Sequence, residues 1–142
     1  MNRSLFLHAA AAALLAGPHV MWAQQRPGRI YRLAILVQTG DPPATRRGTF
    51  GLALNSLGYA RGQNLIVDVR GTDGDNRRYP TLVRELIALK PDVMVVETTP
   101  GVLAAKNATA SIPIVMVNVS DPVGSGLVAS LARPGGNVTG GT

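Results

Sequence analysis

Short, unbroken aliphatic runs recur along the chain, and each ends at residues that break regular structure. "LAILV" (Leu33 to Val37) stops at Gly40, Asp41, Pro42 and Pro43. "DVMVVE" (Asp92 to Glu97) stops at Thr98, Thr99 and Pro100, and "PIVMVNV" (Pro113 to Val119) stops at Asp121 and Pro122. Runs this short, rich in branched aliphatics and closed by breakers, predict strands buried on both faces. Leu65, Val67 and Val69 instead alternate with Ile66, Asp68 and Arg70. That period of two predicts a half-covered strand at a sheet edge. "NVTGGT" at the end of the chain is expected to open a fifth strand.

Between the runs the apolar spacing changes to three and four residues. Phe50, Ala53, Leu54 and Leu57 form one helical face, with Gly58 as a left-handed cap. Leu82, Val83, Leu86, Ile87 and Leu89 form a second face, with Pro80 near the first helical position and Pro91 past the last. A short helix is predicted from Thr98 through Asn107 and another from Val123 to Leu131, stopped by Pro134, Gly135 and Gly136. Strands alternate with helices throughout, and no gap offers a hairpin. The class is therefore α/β with a mostly parallel sheet in three layers, helices on both faces.

In such a sheet ligands bind beyond the carboxyl ends of the strands. Four loops reach that edge: Gln38 to Asp41, Gly71 to Asn76, Glu97 to Pro100 and Asn118 to Pro122. Thr98 and Thr99 open a helix, where free backbone N–H groups favour a carboxylate or phosphate; a threonine there can equally cap the helix. Asp121 can accept hydrogen bonds from an ammonium group, or cap a helix with Pro122 at its first position. "GSGLVA" (Gly124 to Ala129) has the glycine spacing of a dinucleotide loop, but it follows the fourth strand and no acid comes after it.

Before the first strand the pattern differs. Arg3, the apolar run "LFLHAAAAALLA" from Leu5 to Ala16, and the break at Gly17 and Pro18 have the layout of a secretory leader cut after Ala23. The run is shorter than the ~20 residues that span a bilayer. Residues 24–30 would form a linker and residues 31–142 the folded lobe. With 0 cysteines the chain has no disulfide, no thiol nucleophile and no lipid-bearing cysteine. Both histidines, His8 and His19, lie in the leader. Residues 24–142 therefore hold no Ser-His triad and no histidine metal site. No cofactor is implied.

The net charge of +6 raises nucleic acid as a partner. The arginines are scattered, with no run longer than Arg46-Arg47 or Arg77-Arg78, and aromatics are 4 % of residues. Both features argue against a nucleic-acid surface. Asn107, Asn118 and Asn137 begin glycosylation-type sequons that are explained by chance.

"RLAILVQTGDP", "LNSLGYARGQNLIVDVR", "LVRELIALKPDVMVVETTP" and "SIPIVMVNVSDPVGSGLVASLARPGGNVTG" resemble the ABC-transporter substrate-binding family of the tryptophan/tyrosine type. The resemblance runs from Arg32 to the end of the chain. It implies one lobe, the amino-terminal one, of a type I periplasmic-binding-protein fold with sheet order 2-1-3-4-5, truncated before a second lobe. It also implies a periplasmic protein that carries a small amino-acid-like solute to an inner-membrane permease and its ATPase, and no catalysis. The ligand positions it implies are Gln38, Thr39 and Gly40 after strand one, Thr98 and Thr99 after strand three, and Ser120 and Asp121 after strand four. Two other readings stand beside it. One is a Rossmann-like nucleotide-binding enzyme fragment; the other is a truncated fragment without function.

Overall fold

The structure, a computed structural model, describes residues 28–40 and 44–141, and the side chains of its first helix from Gly48 onward. The predicted leader and most of the linker lie outside the described residues. Five strands form one sheet: β1 (Tyr31–Val37), β2 (Leu65–Gly71), β3 (Val93–Glu97), β4 (Ile114–Val117) and β5 (Val138–Gly140). Their order is β2-β1-β3-β4-β5 and every pair is parallel. Order and class match the expectation from the sequence. β2 lies at an edge, as its alternating pattern requires.

Three helices connect the strands: α1 (Ala44–Ser56), α2 (Tyr79–Ala88) and α3 (Thr99–Ala108). One 3-10 turn, Asn76–Arg78, leads into α2. Ala34 and Leu36 of β1, Met94 and Val96 of β3, and Ile114 and Met116 of β4 point to one face. There they meet Val83 and Leu86 of α2 and Val102 and Ala105 of α3. All ten are at most 1 % exposed, so this face is the core.

The opposite face is less covered. α1 borders it across a cleft lined by Phe50, Leu54, Ile35, Val67 and Val69. The apolar face predicted for α1 is thus only partly used: Leu54 is half-buried, while Phe50 and Leu57 are 39 % and 68 % exposed. The helix also begins earlier than its apolar spacing indicated, directly after Pro43. Gly58 closes it as predicted, with φ +84°; its N–H donates to Asn55 O and that of Tyr59 to Leu54 O.

The helix predicted over Val123 to Leu131 does not form. One turn winds at Pro122–Ser125 and stops, because Gly126 takes φ +72°. The N–H of Gly126 donates to Val123 O and that of Leu127 to Pro122 O, the pair of bonds that normally ends a longer helix. Leu127 and Val128 then turn inward and join the core. Lys106 Nζ ties this segment to α3, donating to Gly126 O at 2.6 Å and Leu127 O at 3.1 Å. Apolar periodicity alone did not separate one anchored turn from a helix.

Asn137 fastens β5. Its Nδ2 donates to Thr109 O at 2.9 Å and Ile112 O at 2.8 Å, the two carbonyls at the turn between α3 and β4. An amide so engaged is not a glycan acceptor. Asn137→Ala strands both carbonyls and is expected to cost about 1–2 kcal/mol, read as a lower urea midpoint at unchanged slope.

Candidate functional site

Because all strands run one way, their carboxyl ends gather the connecting loops along a single edge. The loops after β1 and β2 are stitched together. Thr72 Oγ1 donates to Gln38 O at 2.7 Å, and the N–H of Gly74 donates to the same oxygen at 2.9 Å. Gly71 and Thr39 touch backbone to backbone: a Cβ on Gly71 would stand 2.5 Å from Thr39 O. Gln38 also reaches β3, its N–H donating to Glu97 Oε2 at 3.4 Å. Gln38 and Thr39 stay exposed to solvent.

The loops after β3 and β4 form a second pair. Thr99 Oγ1 donates to Ser120 O at 3.4 Å, and the N–H of Thr98 donates to Val117 O at 3.2 Å. Thr98 and Thr99 are half-buried, whereas Ser120 and Asp121 are exposed. The seven residues proposed from the sequence therefore sit on one edge, in two linked groups. Gln38, Thr39 and Gly40 form the first; Thr98, Thr99 and Ser120 the second, with Asp121 next in the chain.

Neither threonine caps α3. Thr98 occupies the cap position without a side-chain bond to the helix amides. Its Oγ1 instead meets the hydroxyl of Tyr79 at 2.8 Å. Thr99 uses its hydroxyl on Ser120. Pro100 has no N–H, so the amides of Thr99 and Gly101 open the helix without a side-chain partner. Asp121 does cap: its Oδ1 accepts the N–H of Gly124 at 2.8 Å, and its carbonyl accepts both the N–H and the hydroxyl of Ser125. A Cβ on Gly124 would displace the Asp121 carboxylate from this bond. That contact accounts for the first glycine of "GSGLVA"; no helix follows it to present a phosphate loop.

Backbone strain concentrates at this edge. Five non-glycine residues among those described have positive φ, and four lie in the edge loops: Asp73 (55°), Thr98 (68°), Asn118 (53°) and Asp121 (44°). Such conformations cost about 1–3 kcal/mol each and persist where the surroundings over-determine them. Thr98 stands out, because a β-branched residue rarely takes φ above zero. Farther along, the Asp75 carboxylate accepts from Arg77, which holds its carboxyl below the ordinary range. No group of three metal-ligating side chains occurs among the described residues.

The family model described as ABC transporter substrate binding protein matches residues 34–141. The chain belongs to this family. Among curated proteins, this chain is similar to a tyrosine-binding protein of Clostridioides difficile (strain R20291), at 41 % identity over 88 residues. That match covers 62 % of this chain and 26 % of the relative. Among solved structures it is similar to a conserved domain protein from Vibrio cholerae, at 37 % identity and TM-score 0.72, covering 79 % of this chain and 38 % of that one. The ligand-free, open structure of a substrate-binding protein with adhesive properties from Clostridium difficile follows at 35 % identity and TM-score 0.70. An ABC domain in complex with L-Trp from Streptococcus pneumonia follows at 28 % and 0.66. Each of these two covers 78 % of this chain and 38 % of its own. The chain thus spans well under half the length of the relatives it matches.

The structure adds residues that the sequence reading passed over. Thr72, the one buried polar side chain named among the described residues, joins the first two edge loops. Tyr79 sits just before Pro80, where the helix was predicted to start, and is 1 % exposed. Its place beside a helix start, in a chain with so few aromatics, was the available signal.

Proposed function

We propose that this edge is half of an amino-acid site in the solute-binding component of an ABC import system. The observation that carries this reading is the open amino end of α3 at the strand edge, in a chain of this family. The solute's carboxylate meets the amides of Thr99 and Gly101, where backbone donors and the helix dipole favour an anion. Its ammonium lies toward Asp121, which still has a carboxylate oxygen beyond the one bonded to Gly124. Ser120 and the loop of Gln38, Thr39 and Gly40 line the approach. The relatives' names favour an aromatic amino acid. A second lobe would close over the solute and exclude water, and the loaded protein would dock on a permease coupled to an ATPase. The leader-like pattern of Met1 to Ala23 and this family together favour the periplasm. No helix among the described residues is long and apolar enough to cross a membrane.

One lobe supplies about half of the contacts. If a closed pair reaches micromolar affinity, about 8 kcal/mol, the 142-residue chain alone holds its solute near millimolar. Titration with L-tryptophan, followed by amide NMR, is expected to saturate in the millimolar range and to move the Thr99, Gly101 and Ser120 signals most. Asp121→Ala is expected to weaken binding several-fold. Micromolar affinity, or shifts confined to other loops, would refute the arrangement.

A further inference from the structure

We propose that Tyr79 is a positioning residue for this site. Its hydroxyl draws the Thr98 side chain away from the helix end, and so leaves the first amides of α3 free for the solute. The inference rests on the solute-site reading above.

A threonine at the start of a helix ordinarily turns its hydroxyl onto the amides two or three residues on. Thr98 does not. Its Oγ1 is 2.8 Å from the Tyr79 hydroxyl, whose ring is buried at the first position of α2. The diversion is built in rather than accidental. Thr98 is held at φ 68° and ψ 151° by three separate bonds: its N–H to Val117 O, its carbonyl from the N–H of Val102, and its hydroxyl to Tyr79. A strained conformation survives only under such restraint.

The ring itself presses on the same turn. A Cβ at Gly101 would lie 2.9 Å from Tyr79 Cε1, so a glycine is required where α3 crosses the ring. Tyr79 also follows Arg78, whose guanidinium donates to Thr72 O at 3.1 Å and to Asp73 Oδ2 at 2.5 Å. Thr72 in turn holds Gln38. One short segment, Arg78 and Tyr79, therefore registers the loops after β1, β2 and β3 against one another.

Tyr79→Phe keeps the ring and removes only the hydroxyl. In the 142-residue chain it is expected to weaken L-tryptophan binding roughly fivefold, the factor that one buried hydrogen bond supports. Exchange of the Val102 amide, which bonds Thr98 O, should speed up by a similar factor relative to amides of β3. If Tyr79 acts through Thr98, adding Tyr79→Phe to Thr98→Val changes neither quantity further. A fall in stability with affinity within twofold of the parent would make Tyr79 a packing residue and overturn the proposal. Full additivity with Thr98→Val would overturn it as well. If the parent chain shows no saturable L-tryptophan binding, the solute reading fails by itself. The Val102 exchange cycle then decides whether Tyr79 controls the helix end: non-additivity upholds that control, and additivity refutes it.

Discussion

A Gly71→Val chain is expected to unfold about 1–3 kcal/mol more easily than its parent and to lose most of the L-tryptophan affinity proposed for this edge. Gly71 ends β2 where the loop after β1 passes closest. An added Cβ would face Thr39 O at 2.5 Å and Gly40 Cα at 2.9 Å. Both are backbone atoms, so no side-chain rotation relieves the overlap. The two loops must part, and Thr72 then loses its bonds to Val37 O and Gln38 O. Urea melts measure the stability loss, and an L-tryptophan titration of the folded fraction measures the site. A variant with parental stability and affinity would mean that the two loops do not touch as described. The same contact leaves no room at Gly71 for an aromatic side chain.

Leu86→Ala is expected to destabilise the chain by about 2–5 kcal/mol, the range for emptying a fully buried leucine site. Leu86 is 0 % exposed and sits in the core cluster with Val83, Val102 and the β1 and β3 side chains. α2 and α3 pack against each other there, so the cavity cannot collapse without moving a helix. Leu52, on α1, is 70 % exposed, and Leu52→Ala should stay within about 0.5 kcal/mol. Urea midpoints at constant slope separate the two cases. Equal effects would place the core on the wrong face of the sheet.

The contrast between those leucines marks what the sequence could reveal. Leu33 to Val37, the Met94 run and the Ile114 run are continuous because a parallel strand has helices or neighbours on both sides, and that continuity is readable. The alternation in β2 is equally readable, since an edge strand has one wetter face. The sheet order came with the family resemblance that these residues carry, not from their periodicity. α1 was legible as a helix but not as a poorly covered one, because periodicity reports which residues share a face and not what lies opposite. The Val123 to Leu131 segment misled for a related reason. Leu127 and Val128 are buried by a turn that Gly126 and Asp121 wind, and apolar spacing does not distinguish that from a helical stripe.

The site was legible as a place and not as a set of bonds. Parallel topology alone assigns Gln38, Thr98 and Ser120 to one edge. Nothing in the sequence says that Thr98 gives its hydroxyl to Tyr79, or that Asp121 gives an oxygen to Gly124. Those choices depend on backbone angles above zero, which non-glycine residues adopt only under restraint from the rest of the fold. The sequence marks such restraint where a glycine is forced, as at Gly71 and Gly101, but does not say which neighbour forces it.

The order of the strands also bears on how the chain assembles. β1 can pair first with β2 on one side and then with β3 on the other; β4 adds to β3, and β5 to β4. No strand has to be inserted between two that are already joined. Every pairing is still non-local, so each waits on closing a long crossover, which slows α/β domains relative to helical bundles. The five described strands can therefore add outward in the direction of synthesis, with β5 and its Asn137 clasp following β4.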